Sequence, residues 1–242
     1  MATSKEKTKH DLNDYIKEQL LDQGAAIVGF ADLSQVPPES RANLPRGISV
    51  MVKYPKEVIR GISELPTPEY FHWYIKLNEL LDNLVTLGAK ALENLGYQAI
   101  AQTRARVGEG ETEYRTLLPH KTVATRAGLG WIGKCALLVT EEYGSMVRIS
   151  SILTDAPLAT AEPINTSRCG DCQICREACP GQAVLGRAWQ LGLAREEFFD
   201  APVCGKTAKE RSQLGFGGGA TICGKCIEVC PYTRKYLGTV DS

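Results

Sequence analysis

Nine cysteines occur in this chain, and eight of them are spaced for metal–thiolate chemistry. Cys169, Cys172, Cys175 and Cys179 run directly into Pro180, the C-x2-C-x2-C-x3-C-P spacing of two-cluster ferredoxins. Cys223, Cys226 and Cys230 run into Pro231, with Cys204 upstream. Short C-x2-C turns bring neighbouring thiolates to one cubane, and the fourth cysteine of such a run reaches the other. The spacing therefore assigns Cys169, Cys172, Cys175 and Cys230 to a first 4Fe-4S cluster. Cys179, Cys204, Cys223 and Cys226 fall to a second. The second run lacks a third cysteine of its own; Cys204 fills the gap because it lies between the runs, and Cys135 is the spare. Zinc prefers two separated pairs of ligands, and disulfides need an oxidising compartment. Two cubanes move electrons one at a time, either as a carrier or toward a substrate.

Those thiolates need a scaffold, and the rest of the chain reads as one. Residues 9–23 carry Leu12, Tyr15, Ile16 and Leu20 at helical spacing before Gly24. Residues 25–30 and 48–52 are short apolar runs that predict buried strands. Thr67-Pro68-Glu69 combines an N-cap, a proline at the first helical position and an acid in the first turn. A long helix follows, with Trp73, Leu77, Leu80, Leu81, Leu84, Ala91 and Leu95 as its buried stripe and Gly96 as its stop. Residues 97–101 predict a strand and 119–127 a short helix. Residues 136–140 and 146–153 predict two strands joined by a turn at 141–144. Composition changes near Pro163, where the cysteine-rich part begins. The expected organisation is an α+β domain over 1–162 and a ferredoxin-like domain over 163–242.

The chain's 242 residues suffice to bury roughly 70–75% of the unfolded surface without help from a metal. Formal net charge is zero, which argues against a nucleic-acid footprint. The opening residues show no apolar export segment and no twin arginine, and no apolar run reaches about 18 residues. The expected compartment is the cytoplasm, with no membrane contact.

Gly128-Leu129-Gly130-Trp131-Ile132-Gly133 matches G-x-G-x-x-G, yet a dinucleotide site needs a strand before it and a helix after. Here the order is reversed. Glycine at these positions lets backbone approach a flat, bulky ligand closely, or makes a tight helix-to-strand turn without a ligand.

The stretch Arg126-Ala127-Gly128-Leu129-Gly130-Trp131-Ile132-Gly133-Lys134, followed by Leu137-Leu138-Val139-Thr140, Gly144-Ser145 and Leu153-Thr154-Asp155, resembles the catalytic core of epoxyqueuosine reductases. It also resembles corrinoid-dependent reductive dehalogenases, whose downstream G-x3-R corresponds to Gly144 through Arg148. Asp200-Ala201-Pro202-Val203-Cys204 agrees with the same pattern. The resemblance implies a nitroreductase-related corrinoid-binding domain joined to a domain with two 4Fe-4S clusters, which together reduce a substrate through cobalamin. It implies cofactor contacts from Arg126, Gly128, Leu129, Gly130, Trp131, Ile132, Gly133, Lys134 and Arg148. No His10, His72 or His120 sits in a cobalamin-binding histidine motif.

Epoxyqueuosine reductases carry an acidic proton donor about a dozen residues before this motif, and here Tyr114 and His120 occupy that stretch. The nearest acids are Glu111 and Glu113. Tyr114, His120 and Lys134 are therefore the candidate catalytic groups, Lys134 through its charge in a substrate cleft. The chain ends soon after Pro231, without the helical-repeat extension associated with tRNA. That and the neutral charge disfavour tRNA as a partner and suggest a small-molecule substrate, with ferredoxin or flavodoxin as electron donor. The alternatives are an electron-transfer protein with no substrate of its own, or a corrinoid carrier or reactivating protein.

Overall fold

The computed structural model describes residues 4–108 and 114–239. The chain forms two compact units. The first holds the chain up to Val52, Asn78–Leu129 and Arg148–Ile164; the second holds Lys53–Leu77, Gly130–Val147 and the chain from Asn165 onward. The compositional change at 162/163 lies beside the last crossing. Two earlier segments also pack with the cysteine-rich part.

The first unit is built on a four-stranded sheet in the order β1-β2-β6-β3. Helix α1 (Ser4–Asp22) leads to β1 (Ile27–Asp32), which pairs antiparallel with β2 (Arg46–Lys53), Ile27 opposite Met51 and Asp32 opposite Arg46. An Arg46–Asp32 ion pair at 3.0 Å closes that end. After α2 (Lys56–Arg60) and α3 (Pro68–Asn94) come β3 (Ala99–Ala101), α4 (Arg104–Gly108) and α5 (His120–Arg126). Helices α1 and α5 both pack on β1. A core of Ala31, Leu33, Leu44, Leu118, Val123 and Leu153 forms there. Burying a side chain such as Val123 contributes roughly 1.5–3 kcal/mol.

Thr67 caps α3 as its sequence predicts: its Oγ1 accepts the Tyr70 N–H at 3.1 Å. The buried stripe runs through Leu77, Leu81, Leu84, Val85, Ala89 and Leu92. Leu95, expected in the stripe, is 49% exposed because it follows the last helical turn.

The strand pairing after α5 differs from expectation. Strand β4 (Trp131–Ile132) pairs with β5 (Leu138–Val139), Trp131 opposite Val139. Strand β6 (Val147–Thr154) instead joins the main sheet between β2 and β3. The cause is local. Gly133 N–H bonds Leu137 C=O at 2.8 Å, folding the glycine segment back as a hairpin. Thr140 and Gly144 exchange two backbone bonds of 2.9 and 3.0 Å, which makes 140–144 a closed loop rather than a strand connection.

The second unit gathers short helices: α6 (Ile174–Glu177), α7 (Ala201–Phe216), α8 (Lys225–Glu228) and α9 (Pro231–Leu237). Helix α8 touches α2, α6 and α9. Phe71 stacks on Phe216 with centroids 4.9 Å apart. Among the described residues no helix is long and apolar enough to cross a membrane.

Candidate metal centre

The cysteine runs fold as their spacing requires. Cys172 N–H bonds Cys169 C=O, and Cys179 ends the turn that α6 begins. Asp200 caps α7 by accepting the Val203 N–H at 2.9 Å, which fixes Cys204 in the first turn. Pro231 opens α9 directly after Cys230. All nine cysteines are free thiols.

The thiols sort into two neighbourhoods. Burial, then the adjacent Cys179 and Cys223 thiols, push the Cys204 thiol up to about 11. Burial raises Cys230 as well, opposed by the backbone N–H groups of Thr233 and Tyr232 and reinforced by Cys169 and Cys175. Cys204 thus stands with Cys179 and Cys223, and Cys230 stands with Cys169 and Cys175. We propose the two sets given by the spacing as the ligands of two clusters. Among the described residues no three His, Cys, Asp or Glu side chains converge as a single-ion site. A cubane instead takes one thiolate at each of its four iron corners.

Cys135, the ninth, is buried with its sulfur in hydrogen-bonding reach of Cys175 and Cys226, one member of each set. Cys175 lowers its pKa, but Cys226 and burial outweigh this, and Cys135 titrates well above an ordinary thiol. Its neighbour Lys134 is 3% exposed, and its ammonium donates to the Gly170 and Cys172 carbonyls at 2.8 and 2.9 Å. Sequence reasoning aims Lys134 into a substrate cleft; the structure engages it with the first cysteine run instead. Trp131, fully buried, meets Tyr232 edge to face at 4.9 Å, and the Arg168 guanidinium lies 5.7 Å from its ring centre. Among the described residues the buried Trp131 Nε1 and Ser145 Oγ have no hydrogen-bond partner. Unpartnered buried polar groups are costly, and a sulfur-rich anionic cluster supplies acceptors for such donors.

The motif glycines answer to the chain's own packing. A Cβ at Gly128 would lie 2.7 Å from the Glu162 carbonyl oxygen, and one at Gly133 would lie 2.9 Å from Val139 Cγ2. At Gly130 it would overlap the Val139 carbonyl. Leu129 packs against the first unit's core, and Ile132 is half-buried in the hairpin.

The remaining candidates lie in the first unit. Arg126 Nε donates to the Asp32 carbonyl at 3.3 Å. Arg148 grips Asn78 Oδ1 with Nε and Nη2 at 3.0 and 2.7 Å. His120 Nδ1 lies 2.9 Å from Ser151 Oγ. Tyr114 adopts φ of +59°, an uncommon conformation for an aromatic residue, and is 40% exposed. Glu111 and Glu113 lie outside the described residues. Sequence gave no signal for Asn78 and Ser151, which hold Arg148 and His120 from elements distant in the chain.

Burial, followed by the Arg148 charge and opposed by Asp82, lowers the His120 pKa from 6.5 to about 4. The imidazole is therefore neutral at pH 7. Below pH 6.5 the unfolded chain binds a proton that the folded chain refuses, so stability falls as pH drops from 6.5 toward 4 and levels beneath that. The loss approaches about 3 kcal/mol. Urea denaturation of wild type and His120→Gln at pH 7, 5.5 and 4 checks this. A flatter pH profile in the variant is expected, and identical profiles would refute the assignment.

The two units define an α+β protein carrying a double-cluster domain: residues 168–233 match the family described as "4Fe-4S double cluster binding domain". The chain is similar to epoxyqueuosine reductases. That of Cellulophaga algicola is 34% identical over 47% of this chain and 37% of its own length. That of Synechococcus sp. RCC307 is 28% identical over 93% of this chain and 76% of its own length. An epoxyqueuosine reductase solved with an epoxyqueuosine-modified tRNA-Tyr stem loop shares the fold, with a TM-score of 0.62 and 18% identity over 93% of this chain and 66% of that one. A reductive dehalogenase described in terms of B12-dependent dehalogenation has a TM-score of 0.72 and 18% identity over 90% and 31%. The alignment with the Cellulophaga relative thus spans little more than a third of that protein.

The double-cluster fold and the resemblance to both families are borne out. The expectation against tRNA is not. A protein of the same fold is seen with a tRNA stem loop, and neutral net charge was a poor guide because net charge says nothing of where charges lie.

Proposed function

We propose that this chain is an iron–sulfur, cobalamin-dependent reductase of the epoxyqueuosine reductase type, acting on a modified tRNA nucleoside. The observation carrying this reading is the anchoring of the 131–135 segment on the cysteine runs, Lys134 on the first run and Cys135 on Cys175 and Cys226, in a chain similar to an epoxyqueuosine reductase over 93% of its length. That segment has no such task in a simple ferredoxin. Cobalamin, held by Arg126 and Arg148, would supply redox chemistry at cobalt.

The chain's own groups do the rest. Arg126 spends one donor on Asp32 and has further guanidinium N–H groups suited to corrin amides or phosphate. Arg148, steadied by Asn78, is the second such contact. The glycine segment contributes a rigid hairpin rather than an open cradle. Tyr114 is the proton donor through its phenol oxygen. Neutral His120 holds its place through Ser151 and is not charged to serve as an imidazolium acid near pH 7. Nine reduced thiols suit the cytoplasm as the working compartment.

The test is anaerobic. Protein loaded with iron and sulfide is mixed with cobalamin and with an epoxyqueuosine-modified tRNA stem loop under a low-potential reductant, and the nucleoside is analysed. Conversion to the deoxygenated nucleoside, at least tenfold slower in Tyr114→Phe, supports the proposal. Corrin binding without turnover points to a carrier. No binding at micromolar cobalamin leaves an electron-transfer protein.

A further inference from the structure

We infer that Lys134 is a positioning residue for the first cluster: its buried ammonium holds the Gly170–Cys172 turn and raises the reduction potential of the cluster bound by Cys169, Cys172, Cys175 and Cys230. The inference rests on the double-cluster reading and deepens it.

Lys134 is 3% exposed, yet both of its hydrogen bonds go to neutral carbonyls, Gly170 O at 2.8 Å and Cys172 O at 2.9 Å. Among the described residues no carboxylate lies within salt-bridge distance of it. A buried charge is tolerated only when compensated. The anion within reach is the cysteine set itself, and Lys134 acts electrostatically on Cys175. A cubane with four thiolates carries a charge of about −2 when oxidised and gains another negative charge on reduction. A fixed positive charge behind the ligand turn therefore favours the reduced form. It acts on one cluster more than the other, because both carbonyls belong to the first run.

The geometry also explains the sequence context. Gly133 allows the tight hairpin, β4 places Trp131 between Arg168 and Tyr232, and residue 134 then points back at the cysteine turn. Arg168 precedes Cys169 and Tyr232 follows Cys230, so Trp131, in contact with both, meets the first set at both ends of its sequence.

The balance is one electron taken by the first cluster, with no bond made or broken and no proton required of Lys134. The experiment replaces the charge and keeps the stem. Lys134→Met and Lys134→Arg are purified anaerobically, iron and sulfide are counted, and the two one-electron steps are followed by EPR during a redox titration. Lys134→Met should move one step to lower potential and leave the other. The reduced fraction of that cluster at fixed potential should drop at least tenfold, which is about 59 mV for one electron. Lys134→Arg should remain near wild type. Loss of about half the iron in Lys134→Met but not in Lys134→Arg also supports the role. Full loading with unchanged potentials in Lys134→Met overturns it, as does equal iron loss in both variants or an equal shift of both steps. Wild-type protein with far fewer than about eight irons per chain would mean that the double-cluster reading itself has failed.

Discussion

Replacing Cys204 with alanine is expected to halve the iron and sulfide content, from about eight to about four atoms of each per chain, while Cys135→Ala retains about eight. The two cysteines differ in their surroundings. Cys204 stands in the first turn of α7, held by the Asp200 cap, beside Cys179 and Cys223. Those three, with Cys226, make the second proposed set of four. Cys135 touches one member of each set and completes neither. Removing Cys204 leaves three thiolates for a cubane that needs four, and removing Cys135 leaves both sets whole. The surviving cluster in Cys204→Ala should give a single one-electron step in titration. If Cys204→Ala kept its full iron and Cys135→Ala lost half, the ligand assignment would have to be reversed.

Gly144→Ala carries the second large effect. Gly144 sits at φ of +57° in the closed 140–144 loop, a left-handed conformation that disfavours any residue with a Cβ. A Cβ there would overlap the backbone nitrogen and Oγ1 of Thr233, a fully buried residue in the first turn of α9. Neither atom moves cheaply: Thr233 Oγ1 accepts the Ser145 N–H at 3.1 Å, and its own N–H is directed at the Cys230 sulfur. The conformational cost and the overlap together should destabilise the protein by about 3 kcal/mol or more. Because the displaced N–H serves Cys230, the first cluster should be lost as well. Gly96→Ala is the comparison, since its φ of +88° carries conformational cost but nothing lies within 4 Å of the added carbon. Thermal denaturation and iron analysis of both variants decide the matter. Equal melting temperatures and equal iron contents would show that the Gly144 contact is unimportant.

The sequence was most legible where covalent spacing dictates geometry. A C-x2-C spacing turns neighbouring cysteines toward one centre, so the double-cluster domain was readable, and residues 168–233 match it. The capped start of α3 and the α1–β1 passage were readable for a similar reason, because their signals are local. The partner of β5 was not. Residues 136–140 and 146–153 both look like strands, and nothing within either tells that the 140–144 loop closes on itself and sends β6 into another sheet. Lys134 was misplaced for the same reason: a lysine after a glycine turn announces a charge, while the carbonyls that receive it lie 36 and 38 residues further on. Tertiary contacts of that span leave no periodic trace.

The placement of Cys135 has a consequence for exposure to air. A protein stripped of its inorganic cores by oxygen retains the Cys135 thiol in reach of Cys175 and of Cys226, and two electrons passed to oxygen couple it with either. A bridge from 135 to either neighbour removes a ligand from one set and bars that set from being refilled. Damage then becomes self-sealing, and repair must begin with a dithiol reductant before any iron is offered.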